Sequence, residues 1–119
     1  MSAILYGIPN CDTVKKARVW LDANGVEYRF HDFKKAGLGK AIVEGWLQTA
    51  AWDVLVNRKG TTWRGLDDVT KAEVVDATAA AQLMVAAPSV IKRPVLVTGD
   101  ATHVGFSVAL YQKIFPAGS

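Results

Sequence analysis

Within its first 33 residues the chain changes hydrophobic period twice, and this restricts the available folds more than any other feature of the sequence. "AILYG" (Ala3–Gly7) is a short, apolar, β-prone run bounded by Gly7 and Pro9, and predicts a buried strand. "CDTVKKARVWLDANG" then has the helical period. Cys11, Val14, Ala17 and Leu21 recur at i, i+3 and i+4 spacing and share one face. Asn24-Gly25 ends this helix, because glycine accepts the left-handed backbone of a C-cap. "VEYRFHDF" (Val26–Phe33) alternates, with Val26, Tyr28 and Phe30 on one side, and predicts a second strand. Strand, helix and strand in so short a span form a βαβ unit with a right-handed crossover.

The middle of the chain reads as helical. Ile42, Val43, Trp46, Leu47 and Ala50 form one stripe, and Thr70 and Glu73 have the spacing of a capping box ahead of "VVDATAAAQLMVAA", a helix that Pro88 ends. Between these helices "VNRKGTTWRGLDD" is polar, with Gly60 and Gly65, and predicts a loop. β patterning returns in "PVLVT" (Pro94–Thr98). Gly99-Asp100 fits a turn, "THVGF" a hairpin partner, and "SVALYQKIF" a last helix with Ser107 as N-cap. The order is βαβ, a helical insert over about residues 38–90, then ββα: an α/β chain forming one domain over residues 1–119. There is no internal repeat and no low-complexity segment.

The charge balance narrows the partners. Net charge is +3 with the basic residues scattered, and the Lys15-Lys16 and Lys34-Lys35 pairs fit a solvated surface, so no nucleic-acid partner is expected. No stretch approaches a membrane span, and the start lacks the basic and long apolar segments of a signal peptide, so the expected compartment is the cytoplasm. A single cysteine excludes an internal disulfide and a multi-cysteine metal site, and no metal is expected.

That cysteine is the main chemical candidate. Thiol chemistry runs through the thiolate, and a helix N-terminus favours the thiolate through its free N–H groups and dipole. Cys11 stands at such a start, after a Pro9-Asn10 turn, in the strand-to-helix loop where α/β folds place chemistry. The alternative for a lone cysteine is a buried structural residue. Asp12, next to the thiol, is expected to work against activation. Arg93 precedes the proline that opens the strand at Pro94. If that strand lies beside the first, Arg93 meets the Cys11 loop, where a cation stabilises a thiolate or binds an oxyanion or carboxylate in bidentate fashion. Otherwise it is a strand-end arginine in solvent.

"YGIPNCDTVKKARVWL", "GTTWRGL" and "IKRPVLV", in that order, resemble the arsenate reductase/Spx family, and within it the small YffB-like branch. The resemblance covers essentially the whole chain. It implies a thioredoxin-like βαβ–ββα core with a helical insertion between the two halves. It also implies that Cys11 is the redox-active thiol and that Pro94 is a cis-proline facing it. There are departures. The family's arsenate reductases surround the oxyanion with three arginines. Arg93 matches one, Asn57 stands where a second belongs with Arg58 one place on, and the hairpin "DATHVGF" holds His103 but no third arginine. The Spx regulators carry Cys-x-x-Cys, whereas Val14 occupies the second position here, so an internal-disulfide switch is chemically impossible.

The expectation is therefore a glutathione-dependent monothiol oxidoreductase. Cys11 and Arg93 are the catalytic pair, and Asn10, Asn57, Arg58, Arg64 and Pro94 line the glutathione site. Glutathione is a co-substrate and no cofactor is bound. Glutaredoxin is a further candidate partner, and the protein is a monomer. The alternatives are arsenate reduction proper with glutathione and glutaredoxin, or an Spx-like regulator that binds RNA polymerase. Thr61, Thr62 and Trp63 either flank the glutathione groove or form a turn anchored by Trp63. His31 and His103 are expected to be ordinary histidines, and Trp20, Trp46 and Trp52 to belong to the core.

Overall fold

The structure, a computed structural model, describes residues 3–99 and 101–116. Strand β1 (Ala3–Gly7) is followed by helix α1 (Asp12–Ala23) and strand β2 (Arg29–Asp32). The insert comprises α2 (Phe33–Ala36), α3 (Lys40–Trp46), α4 (Trp52–Leu55), α5 (Thr61–Arg64), α6 (Asp68–Glu73), α7 (Ala77–Ala86) and a 3-10 turn at Pro88–Val90. The chain closes with β3 (Val95–Thr98), β4 (Ala101–Val104) and α8 (Val108–Ile114). The strands form one sheet in the order β2-β1-β3-β4. β1 is parallel to β2, with Tyr6 opposite His31, and antiparallel to β3, with Leu5 opposite Leu96; β3 and β4 are antiparallel. A parallel neighbour requires a crossover, which α1 supplies. This is the thioredoxin-like βαβ–ββα core with a helical insertion between its halves.

The period of two along the strands divides the interior between the two faces. Ala3, Leu5 and Leu96 pack with Ala17, Leu21 and Tyr111 under α1 and α8. Tyr6 and Val95 face the other way, into a larger cluster with Val43, Trp46, Leu55, Met84 and Ile91 from the insert and its return to the sheet. The insert is thus the second layer that covers the sheet. Val26, Tyr28 and Phe30 pack together on the α1 side, as their alternation predicts. Trp46 is fully buried, whereas Trp20 and Trp52 are only partly so.

Helix ends follow local chemistry with one exception. α1 stops at Asn24, followed by Gly25 at φ +67°, and Ser107 caps α8 by accepting from the Leu110 N–H. α7 ends at Ala86, before Pro88. Thr70 and Glu73, however, do not cap it: both lie inside α6, which Asp67 caps by accepting from the Thr70 N–H. α7 begins later, at Ala77, with Asp76 accepting from the Ala79 N–H. Of three possible caps in ten residues, the two aspartates hold the helix starts. β2 is also shorter than its alternation suggests, because Asp32 caps α2 through the Lys34 and Lys35 amides and Phe33 turns into the core. The segment expected to be loop contains the single turn α5. In the expected Gly99-Asp100 turn, Gly99 has φ +57°, and Asp100 lies outside the described residues. Among the described residues no helix is long and apolar enough to cross a membrane.

Candidate functional site

The site begins with how closely α1 returns onto β1. A Cβ at position 7 would lie 2.9 Å from Val14 Cγ2 and 3.2 Å from Cγ1, so glycine there lets the first turn of α1 press against the strand end. The exposed Pro9-Asn10 turn then delivers Cys11 to the N-cap of α1, with extended backbone (φ −111°, ψ 123°) and its carbonyl accepting from the Lys15 N–H at 2.9 Å. An N-cap side chain faces the unpaired amides of the first turn. Partial burial pushes the Cys11 thiol up, but the Val14 amide, the Arg93 guanidinium and the Thr13 amide together outweigh it, and the thiol is held below its ordinary value. No capping hydrogen bond closes onto the sulfur, which stays available. The opposing influence is burial; Asp12 is not among the groups that set the shift.

Arg93 arrives by strand pairing. β3 runs antiparallel to β1, so the start of β3 lies beside the end of β1, and the residues just before it meet the Cys11 turn. The Arg93-Pro94 bond is cis, and Pro94 is buried. Arg93 Nη1 donates to the Ser89 carbonyl at 3.1 Å, which fixes the guanidinium near the thiol. A second connection brings in Asn57. The insert pairs with the segment before β3 through a bridge between Val56 and Ile91, with Asn57 N–H to Val90 O and Lys92 N–H to Leu55 O, each 2.8 Å. Asn57 Oδ1 accepts from the Lys59 N–H at 3.2 Å, and Arg58, in the turn that follows the bridge, is exposed, its Cζ 5.5 Å from the centre of the Trp52 ring.

These elements enclose a cleft of about 380 Å³, lined by Cys11, Thr13, Asn57, Ile91, Lys92 and Arg93 on one side and by Val104, Gly105, Phe106, Ser107 and Leu110 on the other. Gly105 has φ +84° and donates its N–H to Pro94 O at 2.8 Å, a conformation that other residues adopt at a cost. Among the described residues, two cations and no carboxylate side chain face the cleft.

Of the residues expected at the site, Cys11, Asn57 and Arg93 line this cleft, and Pro94 lies directly behind Arg93. Asn10 is exposed in the preceding turn and is not part of the lining. Arg58 and Arg64 do not line it either: Arg58 lies over Trp52, and Arg64 is exposed in α5. His31 contacts the Gly37 carbonyl through Nε2 at 2.9 Å, and His103 is 3.1 Å from Thr98 Oγ1, its imidazole pulled down by burial; neither faces the cleft. Among the described residues no group of three or more His, Cys, Asp or Glu side chains is placed to hold a metal. Sequence reasoning missed Lys92, Thr13, Phe106 and Ser107. Lys92 is adjacent to Arg93 and Thr13 is in the first turn after Cys11, so both carried a local signal. Phe106 and Ser107 follow the edge strand β4, more than 90 residues from Cys11 along the chain, and carried none.

The arrangement presents an activated thiol, an arginine beside it and a mostly apolar wall opposite, an arrangement suited to thiolate attack on an anionic disulfide. The chain matches the ArsC family over residues 6–114. It is 40% identical to a Haemophilus influenzae protein over 111 residues, 93% of this chain and 96% of that one. A solved structure named YFFB superposes with a TM-score of 0.88 at 47% identity, covering 93% of this chain and 96% of its own. A second, described as an arsenate reductase (ArsC) related protein from Brucella melitensis, gives 0.75 at 47% identity, covering 98% and 96%.

Proposed function

Because the chain belongs to the ArsC family, we propose that it is a thiol oxidoreductase that works through Cys11 alone and takes glutathione as its co-substrate. Family membership and the arsenate-reductase-related neighbours support the thiol oxidoreductase part. The observation that carries the rest is the lone cysteine at the N-cap of α1, its thiol lowered despite burial, opening into a cleft that holds Arg93 and Lys92 and, among the described residues, no acidic side chain.

The chemistry follows from these groups. The Cys11 thiolate attacks one sulfur of oxidised glutathione; the Cys11–glutathione bond forms as the glutathione S–S bond breaks, and the second glutathione leaves as a thiolate that takes a proton from water. Arg93 and Lys92 attract the carboxylates of the incoming tripeptide, and the Thr13 and Val14 amides stabilise the negative sulfur before attack. The described chain offers no second thiol, so the mixed disulfide waits for an external glutathione or a glutaredoxin dithiol, which attacks it and returns Cys11 as thiolate. With a protein–glutathione mixed disulfide in place of oxidised glutathione, the same attack moves the glutathione onto Cys11 and releases the protein's thiolate, and external glutathione then frees Cys11 as oxidised glutathione forms.

Intact-mass spectrometry after exposure to oxidised glutathione tests this reading. The expected result is one glutathione adduct that Cys11→Ser abolishes, formed faster than on a small model thiol of matched pKa, because the cleft adds binding to nucleophilicity. Arg93→Ala should slow it by more than the change in thiolate fraction explains. Modification only after denaturation would make Cys11 a structural residue and end the proposal.

A further inference from the structure

Two consecutive residues bring positive charge to the Cys11 cleft, and they are held in different ways. The Arg93 guanidinium is tied to the Ser89 carbonyl through Nη1 and is one of the groups that lower the Cys11 thiol. Lys92 lines the same cleft and is not among those groups. Its backbone is fixed by its N–H, which donates to Leu55 O at 2.8 Å. Its side chain runs over Gly105, in the connection between β4 and α8: a Cβ built there would lie 3.4 Å from Lys92 Cε and 3.9 Å from Nζ. Gly105 is itself held in place, buried and with its N–H donating to Pro94 O at 2.8 Å. The Lys92 stem therefore rests on a residue without a side chain, and its ammonium stands beside Val104, Phe106 and Ser107 on the cleft wall. Lys92 is exposed, and among the described residues neither it nor Arg93 is ion-paired. A cation with no counter-charge, placed in the cleft without acting on the nucleophile, is free to act on the charge of what enters.

Resting on the thiol-exchange reading above, we propose that Lys92 is the specificity-determining residue of this site: it selects the incoming disulfide by charge, favouring one with a carboxylate a few bonds from the attacked sulfur. Arg93 acts on the thiolate as well as on the substrate, and Lys92 acts on the substrate alone. The substrate class is then wider than glutathione and is defined by that carboxylate. The exchange step is unchanged: the Cys11 thiolate attacks one sulfur, the new S–S bond forms as the old one breaks, and the leaving thiolate takes a proton from water. A carboxylate beside the ammonium speeds approach, and a cationic group there is repelled. Because Lys92 is exposed, the selection is modest and is screened by salt.

The test uses three disulfides of nearly equal size that differ in their end groups: 3,3′-dithiodipropionate (carboxylates), 2-hydroxyethyl disulfide (neutral) and cystamine (ammonium groups). Rates of Cys11 modification are divided by those of a small model thiol with the same reagents, and the ratios between reagents are compared, so that the thiolate fraction cancels. In the parent protein the dicarboxylate should be favoured over the neutral disulfide by at least about fivefold, less so at high salt. Lys92→Met keeps the stem over Gly105 and removes the charge; it should lower that preference at least about threefold and leave the neutral reagent within about twofold. Lys92→Glu should reverse the order in favour of cystamine. Lys34→Met makes the same change in net charge away from the cleft, and should leave the ratios within about twofold. Lys92→Met should also leave the thiolate titration in place. Parent ratios equal to those of the model thiol, equal slowing of all three reagents by Lys92→Met, or the same effect from Lys34→Met would each overturn this inference and leave the oxidoreductase reading standing. A native protein that resists all three reagents would overturn both.

Discussion

Gly7→Ala should damage both the fold and the thiol, because one contact serves both. The new Cβ would lie 2.9 Å from Val14 Cγ2, against about 3.5–4.0 Å for comfortable carbon contact, so something must move by about 0.6–1 Å. Val14 is fully buried and β-branched, so its methyls cannot swing aside cheaply. Overpacking of this kind costs about 1–3 kcal/mol, a fall in Tm of about 4–12 °C for a chain of this size. A double-mutant cycle identifies the source. Val14→Ala alone should cost about 2 kcal/mol for its lost methyls and the space they leave. In Gly7→Ala/Val14→Ala the clash is gone and the new methyl occupies part of that space, so the pair should be at least about 1 kcal/mol more stable than the sum of the singles predicts. The Val14 amide is among the groups that lower the thiol, so moving α1 away from β1 in the single mutant should also raise the Cys11 pKa. Chemical denaturation gives the stabilities, and ultraviolet absorbance of the thiolate against pH gives the titration. Additivity within about 0.5 kcal/mol, or a Gly7→Ala protein that melts and titrates like the parent, would refute the argument.

Arg93→Ala should raise the Cys11 pKa and slow its alkylation at neutral pH, whereas Asp12→Asn should leave both nearly unchanged, as thiolate absorbance and iodoacetamide kinetics can show. Because the folded-state pKa lies below the unfolded one, the thiolate contributes stability that is complete above the ordinary thiol pKa and is lost as pH falls through the lowered value; the Tm advantage of the parent over Cys11→Ser should follow that window. Arg58→Ala and Arg64→Ala should change the rate of glutathione adduct formation by less than about twofold, since neither lines the cleft, while Arg93→Ala and Lys92→Ala should both slow it; the salt dependence of these rates measures the same effect. The Tyr111 hydroxyl is fully buried without a partner among the described residues, so Tyr111→Phe should raise stability by about 0.5–2 kcal/mol in denaturant unfolding, and a clear loss would show that the hydroxyl is bonded in solution.

The sequence by itself determined what depends on neighbours along the chain. The switch from "AILYG" to a period-3.6 segment specifies β1 and α1, since burial of one face is the dominant force on each. Asn24-Gly25 and Ser107 set helix ends through bonds that span only a few residues, and Cys11 is legible at the start of α1 for the same reason. The capping-box reading of Thr70 and Glu73 failed because local chemistry offered competing caps in Asp67 and Asp76, and the choice among caps of nearly equal strength falls to packing against the rest of the chain. The tertiary structure alone decided which cations meet the thiol. Arg93 and Lys92 reach it because β3 pairs antiparallel with β1, some 90 residues away in sequence. Asn57 lines the cleft and Arg58 does not, because the bridge from Val56 to Ile91 and the hydrogen bonds to Val90 and from Lys92 tie that end of the insert to the segment before β3, and the chain turns away at Arg58.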